Sequence, residues 1–151
     1  MRYEIAFHQQ EDRMNVPFQL KQIDHVVLRI KDLDASVRFY RDVLGCSIDK
    51  VQETIGLWQM RAGASLIDLV PIDGVLGKIG GAAAGLEGHN VDHFALQVTP
   101  WNEGAIRDHL GAHGIAIVDS GPRYGAEGTG PSIYILDPDG TTVELKGPPN
   151  G

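Results

Sequence analysis

The sequence predicts an α+β chain built from two βαβββ modules, whose strands form a curled, partly open mixed β-sheet barrel with the helices outside. Three observations predict it. Ile-Asp-His-Val-Val-Leu-Arg-Ile at positions 23–30 recurs as Val-Asp-His-Phe-Ala-Leu-Gln-Val at 91–98, an offset of 93 − 25 = 68 residues. Each copy is followed by an amphipathic stretch that stops at a glycine, and these stops, Gly45 and Gly114, are offset by 114 − 45 = 69. A run of short strand patterns follows each stop. Self-similarity at one fixed spacing, carried through strand, helix and cap together, is the mark of a duplicated structural unit.

Residues 1–21 form an N-terminal extension with Glu11, Asp12 and Arg13, and no apolar run in it is long enough for a signal or membrane helix. The first module spans 22–71. Its helix is expected over Asp34 to Leu44, with Val37, Tyr40, Val43 and Leu44 on one side, and its strands over Ser47–Val51, Leu57–Arg61 and Ser65–Pro71. Residues 72–90 are rich in Gly and Ala, including Gly80-Gly81-Ala82-Ala83-Ala84-Gly85, and read as a mobile linker between modules. The second module spans 91–147, with a helix over Asn102 to His113 carrying Ile106 and Leu110, and strands over Ala116–Asp119, Ser132–Leu136 and Thr141–Lys146. Its last two strands are joined by Asp137-Pro138-Asp139-Gly140, where proline presets φ, aspartate caps and glycine supplies the positive φ. Residues 148–151 are a tail.

The chain has 151 residues, enough for one compact core, and 13 Lys and Arg against 20 Asp and Glu give a formal charge of 13 − 20 = −7. Such a balance argues against a nucleic-acid partner, whose phosphates demand a basic surface. Cys46 is the single cysteine, so no intrachain disulfide forms, and the expected setting is reducing, cytoplasmic and away from membranes. The expected partner is a small-molecule substrate.

Strand alternation says which side chains can meet. Val26, Leu28 and Ile30 share a face suited to lie under a helix, so His25, Val27 and Arg29 point the other way. Phe94, Leu96 and Val98 repeat that division, which leaves His93, Ala95 and Gln97 on the concave side; Thr142, Glu144 and Lys146 join them. Asp68 closes the first module as Glu144 closes the second. His25, His93 and Glu144, with Asp68 as a fourth ligand or a second-layer partner, therefore make a candidate site for a divalent ion such as Mn, Fe, Co, Ni or Zn. A lone histidine in an apolar strand is ordinarily a packed core residue; its duplication in register favours a ligand. His109 and His113 have helical i, i+4 spacing, but no acidic residue sits as it does in a metalloprotease helix. Gly128-Thr129-Gly130 lacks a phosphate-loop lysine, no Gly-x-Ser-x-Gly elbow exists, Trp58 and Met60 read as packing, and His8 and His89 have no positional argument.

The paired Asp-His strands, Phe39-Tyr40 before Leu44-Gly45, and Ser132-Ile133-Tyr134 through Asp137-Pro138-Asp139-Gly140 to Glu144-Leu145 resemble the vicinal oxygen chelate superfamily over Gln22 to Gly147. That family includes glyoxalase I, extradiol dioxygenases, methylmalonyl-CoA epimerase, fosfomycin-resistance enzymes and bleomycin-binding proteins. The resemblance implies the glyoxalase/dioxygenase fold, a homodimer, and a metal held by His25, His93 and Glu144, with Asp68 where glyoxalase I has glutamate. It implies a metalloenzyme that chelates and activates a small oxygen-rich substrate by isomerase, lyase, epoxide-opening or dioxygenase chemistry. The alternative is a non-catalytic, antibiotic-sequestering protein like those that confer bleomycin resistance. No catalytic base is recognisable. Pro122 to Gly130 resembles fosfomycin epoxide hydrolases, and because Gly140 follows Gly63 by 77 residues instead of about 68, this stretch is expected to be an inserted loop over the cavity mouth. Arg123 there suits an anionic substrate group, and Ser132 and Tyr134 suit hydrogen bonds to substrate oxygen.

Overall fold

A computed structural model describes residues 17–150. Residues 1–16, which hold His8 and most of the expected extension, and residue 151 lie outside the described residues. The chain runs β1 (His25–Ile30), α1 (Leu33–Arg38), β2 (Ser47–Gln52), β3 (Leu57–Ala62), β4 (Ser65–Pro71), β5 (His93–Gln97), α2 (Glu103–Ala112), β6 (Ile117–Gly125), β7 (Gly128–Leu136) and β8 (Thr142–Lys146). Two βαβββ units are thus present. Among the described residues no helix is long and apolar enough to cross a membrane.

Both helices start on a side-chain cap: Asp32 accepts from the Ala35 amide at 2.9 Å, and Asn102 from the Ala105 amide at 3.0 Å. The first helix, expected as one piece to Leu44, passes at Phe39–Val43 into a wider π-type turn, where the Leu44 amide reaches the Phe39 carbonyl at 3.2 Å. That extra residue per turn rolls both Phe39 and Tyr40 into the core, 4% and 0% exposed. Gly45 at φ +77° and Gly114 at φ +69° occupy the left-handed region after each helix, as the repeat requires.

The strands make two separate four-stranded sheets, ordered β1-β4-β3-β2 and β5-β8-β7-β6, not closed into a barrel. Within each, the first strand runs parallel to the last and the others are antiparallel, so the sheets are mixed. Leu28, Ile30, Met60, Ile67 and Leu69 of one sheet join Ile133, Ile135, Val143 and Leu145 of the other in a single buried cluster with Phe39, Tyr40 and Leu110. The modules therefore meet through their helix-bearing faces. Polar contacts seal the joint: the Tyr40 hydroxyl donates to the Asp137 carboxylate at 2.8 Å, the Lys31 amide donates to Asp139 at 3.0 Å, and His109 Nε2 donates to the Val43 carbonyl at 2.8 Å. In the Asp137–Gly140 turn, Asp137 also accepts from the amides of Asp139 and Thr141, at 2.9 and 2.8 Å, and Gly140 has φ +80°.

Two expectations are corrected. Pro122 to Gly130 is not a loop: β6 and β7 continue through it as a long hairpin, paired from Ile117↔Ile135 to Gly125↔Gly128 around Ala126 and Glu127. The added length went into extending a ladder, which satisfies backbone groups that a loop would leave to water. Likewise the Gly/Ala-rich linker is fastened. Arg29 donates to the carbonyls of Gly77, Gly80, Gly81 and Ala82 at 2.6 to 3.2 Å, and the Asn90 amide returns to the Arg29 carbonyl at 2.9 Å. Glycine is needed for this close passage, since a Cβ on Gly77 would stand 1.8 Å from the Pro71 carbonyl oxygen. Arg29→Met is expected to cost about 1–3 kcal/mol and to open residues 77–82 to limited proteolysis under native conditions. Unchanged cleavage there would refute the clamp.

Candidate metal centre

On the first sheet, Asp68 stands opposite Val27 in the parallel β1–β4 pair, so its side chain shares a face with His25, two residues along. The Asp24 carboxylate lies 2.7 Å from His25 Nδ1. A carboxylate only accepts, so Nδ1 carries the hydrogen and Nε2 keeps its lone pair available. The bond to Asp24 raises the His25 pKa above 6.5, burial works against it, and the charge of Asp68 adds to the rise. Asp68 is 3% exposed, and both its oxygens accept from Gln59 Nε2, at 3.3 and 3.2 Å. Gln52 in turn donates to Gln59 at 3.1 Å, which fixes that amide's orientation.

The second sheet repeats the design. Asp92 lies 2.6 Å from His93 Nδ1, again leaving Nε2 available. Glu144 pairs with Ala95 in the β5–β8 ladder, which puts it on the His93 face, and it is 6% exposed. Tyr134, paired with Glu144 in the β7–β8 ladder, donates its hydroxyl to Glu144 Oε1 and meets the His93 ring edge-on at 5.8 Å between centroids. Burial first, and the neighbouring Glu144 second, raise the Tyr134 pKa above 10.0. The Arg123 guanidinium lies 5.5 Å above the Tyr134 ring and pairs with Asp119 at 3.0 Å. Ser132 lies on the same face, its hydroxyl oxygen buried and, among the described residues, without a partner.

The four candidate ligands thus stand as two like pairs, His25 with Asp68 and His93 with Glu144, one pair per sheet. Among the described residues of the single chain, no group of three or more His, Cys, Asp and Glu side chains gathers closely enough to hold a metal ion. The repeat leads to the expectation that both imidazoles look into one cavity, formed within one chain or between two. In the single chain the helix-bearing faces of the sheets share the core, and the histidine-bearing faces lie open, with the His25 and His93 side chains 46% and 41% exposed. A cavity of about 720 Å³ opens on the helix side of the first sheet, between Leu33, Trp58, Pro71 and Val75, and none of the candidate ligands lines it. His109 uses Nε2 to hold the joint between modules, and its ring lies 4.7 Å from that of His113. Met60 is fully buried and Trp58 packs on the core.

Sequence reasoning missed Asp24 and Asp92 as histidine partners, although the repeated Asp-His dipeptide displayed them. Gln59 had no such signal, because its place beside Asp68 follows from strand register alone.

Comparison with known proteins agrees with this architecture. The family model for the Glyoxalase/Bleomycin resistance protein/Dioxygenase superfamily matches residues 22–145. Virulence protein STM3117 of Salmonella typhimurium is 29% identical over 150 residues, 95% of each chain. Its crystal structure superposes with a TM-score of 0.71 at 26% identity, covering 87% of this chain and 99% of that one. Two further crystal structures share the fold: lactoylglutathione lyase from Agrobacterium tumefaciens, with a TM-score of 0.62 at 24% identity over 85% of this chain and 95% of that one, and the fosfomycin resistance protein FosX from Listeria monocytogenes, with 0.64 at 19% over 85% and 92%.

Proposed function

Because this chain belongs to the glyoxalase/bleomycin resistance protein/dioxygenase superfamily, we propose that it is a divalent-metal enzyme acting on a small oxygen-rich molecule, with each metal position shared between two copies of the chain. The observation that carries this reading is the duplicated half-site: an aspartate-anchored imidazole with a free Nε2, beside a buried carboxylate. The side chains that donate to Asp68 and Glu144, Gln59 and Tyr134, are neutral, so neither buried carboxyl group is offered a cationic donor there, and a bound cation would supply that compensation. The donor set therefore fits a borderline divalent ion. His25 and Asp68 of one copy would meet His93 and Glu144 of another, since one chain turns these faces away from its own core. A homodimer gives two equivalent positions.

When bound, such an ion supplies Lewis acidity to adjacent oxygens of the ligand. The chain's own residues do the rest. Asp24 and Asp92 hold the ring tautomers, Gln59 orients Asp68, and Tyr134 holds Glu144 while presenting a hydroxyl at the same face. Arg123 and Ser132 are donors on that face for substrate oxygens.

Metal analysis of freshly purified protein tests the reading. About one ion per chain is expected, removable by a chelator and restored by adding Mn, Fe, Co, Ni or Zn singly. Absence of stoichiometric binding by every one of these ions would refute it; stoichiometric binding without turnover of any oxygen-rich substrate panel would favour the sequestering alternative.

A further inference from the structure

Lys146 occupies the same face as Glu144, two residues beyond it, and is 7% exposed. Its side chain lies flat across the sheet, over positions where neighbours have no side chain. A Cβ on Gly125 would stand 2.3 Å from Lys146 Cε. The ammonium donates to the Arg123 carbonyl at 2.6 Å and to the Gly130 carbonyl at 3.4 Å, and among the described residues it forms no ion pair with a carboxylate. Burying an ammonium with only carbonyl partners is unfavourable, because two carbonyl dipoles do not neutralise a full charge, and an anion bound beside it would offset that cost. Among the described residues, one of its three N–H donors has no partner. Directly across the β7–β8 ladder stands Ser132, 1% exposed, whose hydroxyl also has no partner among the described residues. Arg123, whose carbonyl holds the ammonium, sends its guanidinium over Tyr134 on the same face.

We propose that Lys146, Ser132 and Arg123 form a subsite for an anionic group of the ligand, a carboxylate or a phosphoryl or phosphonyl group, beside the His93–Glu144 half-site. The subsite rests on the proposed function for its position next to the metal, but not for its own chemistry. A chain of net charge −7 repels anions at long range, and Arg123 already pairs with Asp119 on this face; the local attraction that reverses this comes first from the desolvated Lys146 ammonium, with the Ser132 hydroxyl and the guanidinium N–H groups as further donors. Lys146 then exchanges a carbonyl for the anion, across the ladder from Ser132.

Equilibrium dialysis of the full-length protein as purified tests the subsite, with labelled inorganic phosphate in one arm and labelled acetate in the other. Metal content is measured on the same samples, for wild type, His93→Ala, Lys146→Met, Lys146→Gln and Ser132→Ala. Saturable binding of at least one anion is expected in wild type, retained in His93→Ala, weakened at least about tenfold in both Lys146 variants and several-fold in Ser132→Ala. The arm with the tighter binding identifies the group. Two variants at Lys146 guard against one that fails to fold, which thermal melting reports. A lysine that only pins the β6–β7 hairpin would lower the melting temperature and leave anion affinity unchanged, which overturns the proposal. So does a wild type that binds neither anion, and so does binding lost in His93→Ala, which would place the anion on the metal. Absence of metal with intact anion binding would sink the proposed function and leave this subsite standing.

Discussion

Mixing His25→Ala with His93→Ala protein is expected to restore metal binding that neither variant has alone. Each variant by itself loses one imidazole from every position, and affinity should fall by on the order of a hundredfold or more. In a mixed dimer one position loses both imidazoles while the other regains the full set. With random exchange of subunits, half the dimers are mixed and half their positions are whole, so about a quarter of the wild-type capacity should return. Cobalt(II) absorption, or metal retained after gel filtration, reads this directly. Were all four ligands to converge within one chain, mixing would recover nothing. The expected recovery rests on the proposed sharing of each metal position between two copies, which is supported by the placement of one His–carboxylate pair on each of two sheets whose opposite faces share the core.

The second large effect falls on the joint between modules. Asp137→Ala removes the acceptor of the Tyr40 hydroxyl and of the Asp139 and Thr141 amides at once, leaving donors without partners in a region where Tyr40 is 0% and Thr141 1% exposed. A loss of about 3–5 kcal/mol is expected in urea unfolding. Tyr40→Phe removes one donor only and should cost about 1.5–3 kcal/mol. The two residues also set a pH dependence. Burial first, then the charge of Asp137 and the bond to it, hold the Tyr40 pKa well above 10.0. A raised folded pKa stabilises the fold fully below the ordinary phenol value and progressively less as pH climbs towards the raised one. Wild type should therefore lose its advantage over Tyr40→Phe in strong alkali. A gap that stays constant up to the alkaline limit would mean that the phenol does not titrate against Asp137. Asp137 itself is raised above 3.8 by burial, against the pull of Tyr40 and the two amides, so its own contribution is greatest in acid and falls as pH rises through that raised value.

The parts of this structure that were legible in the sequence are those set by local chemistry. The Asp-His strands, the glycine stops and the Asp-Pro-Asp-Gly turn each carry their geometry in a few neighbouring residues, and strand alternation correctly grouped Ser132, Tyr134, Glu144 and Lys146 on one face. What depended on packing between distant segments was not legible. Alternation says that His25 and His93 each avoid a helix, but not that the two sheets place those faces apart. The run from Pro122 to Gly130, with its proline and three glycines, has the composition of a loop, yet pairing with a partner strand overrode that local preference. Arg29 reads as a concave-face cation, and only the path of the linker shows that its five donors are already committed to four carbonyls. Helix one hid its π-type turn because the same apolar residues suit a regular helix over so short a span.

The Asp137–Gly140 turn has a wider meaning for the duplicated plan. Its opposite number in the first half is Ala62-Gly63-Ala64, which turns with Gly63 at φ +59° but offers no carboxylate to a neighbour. One half therefore carries the plug and the other the socket, Tyr40, Ser36 and the Lys31 amide. Halves that are alike in outline cannot stand in for each other: two first halves would leave a tyrosine hydroxyl without its acceptor, and two second halves an aspartate pair without its receptor. The polarity of that connection gives a nearly symmetric chain a front and a back.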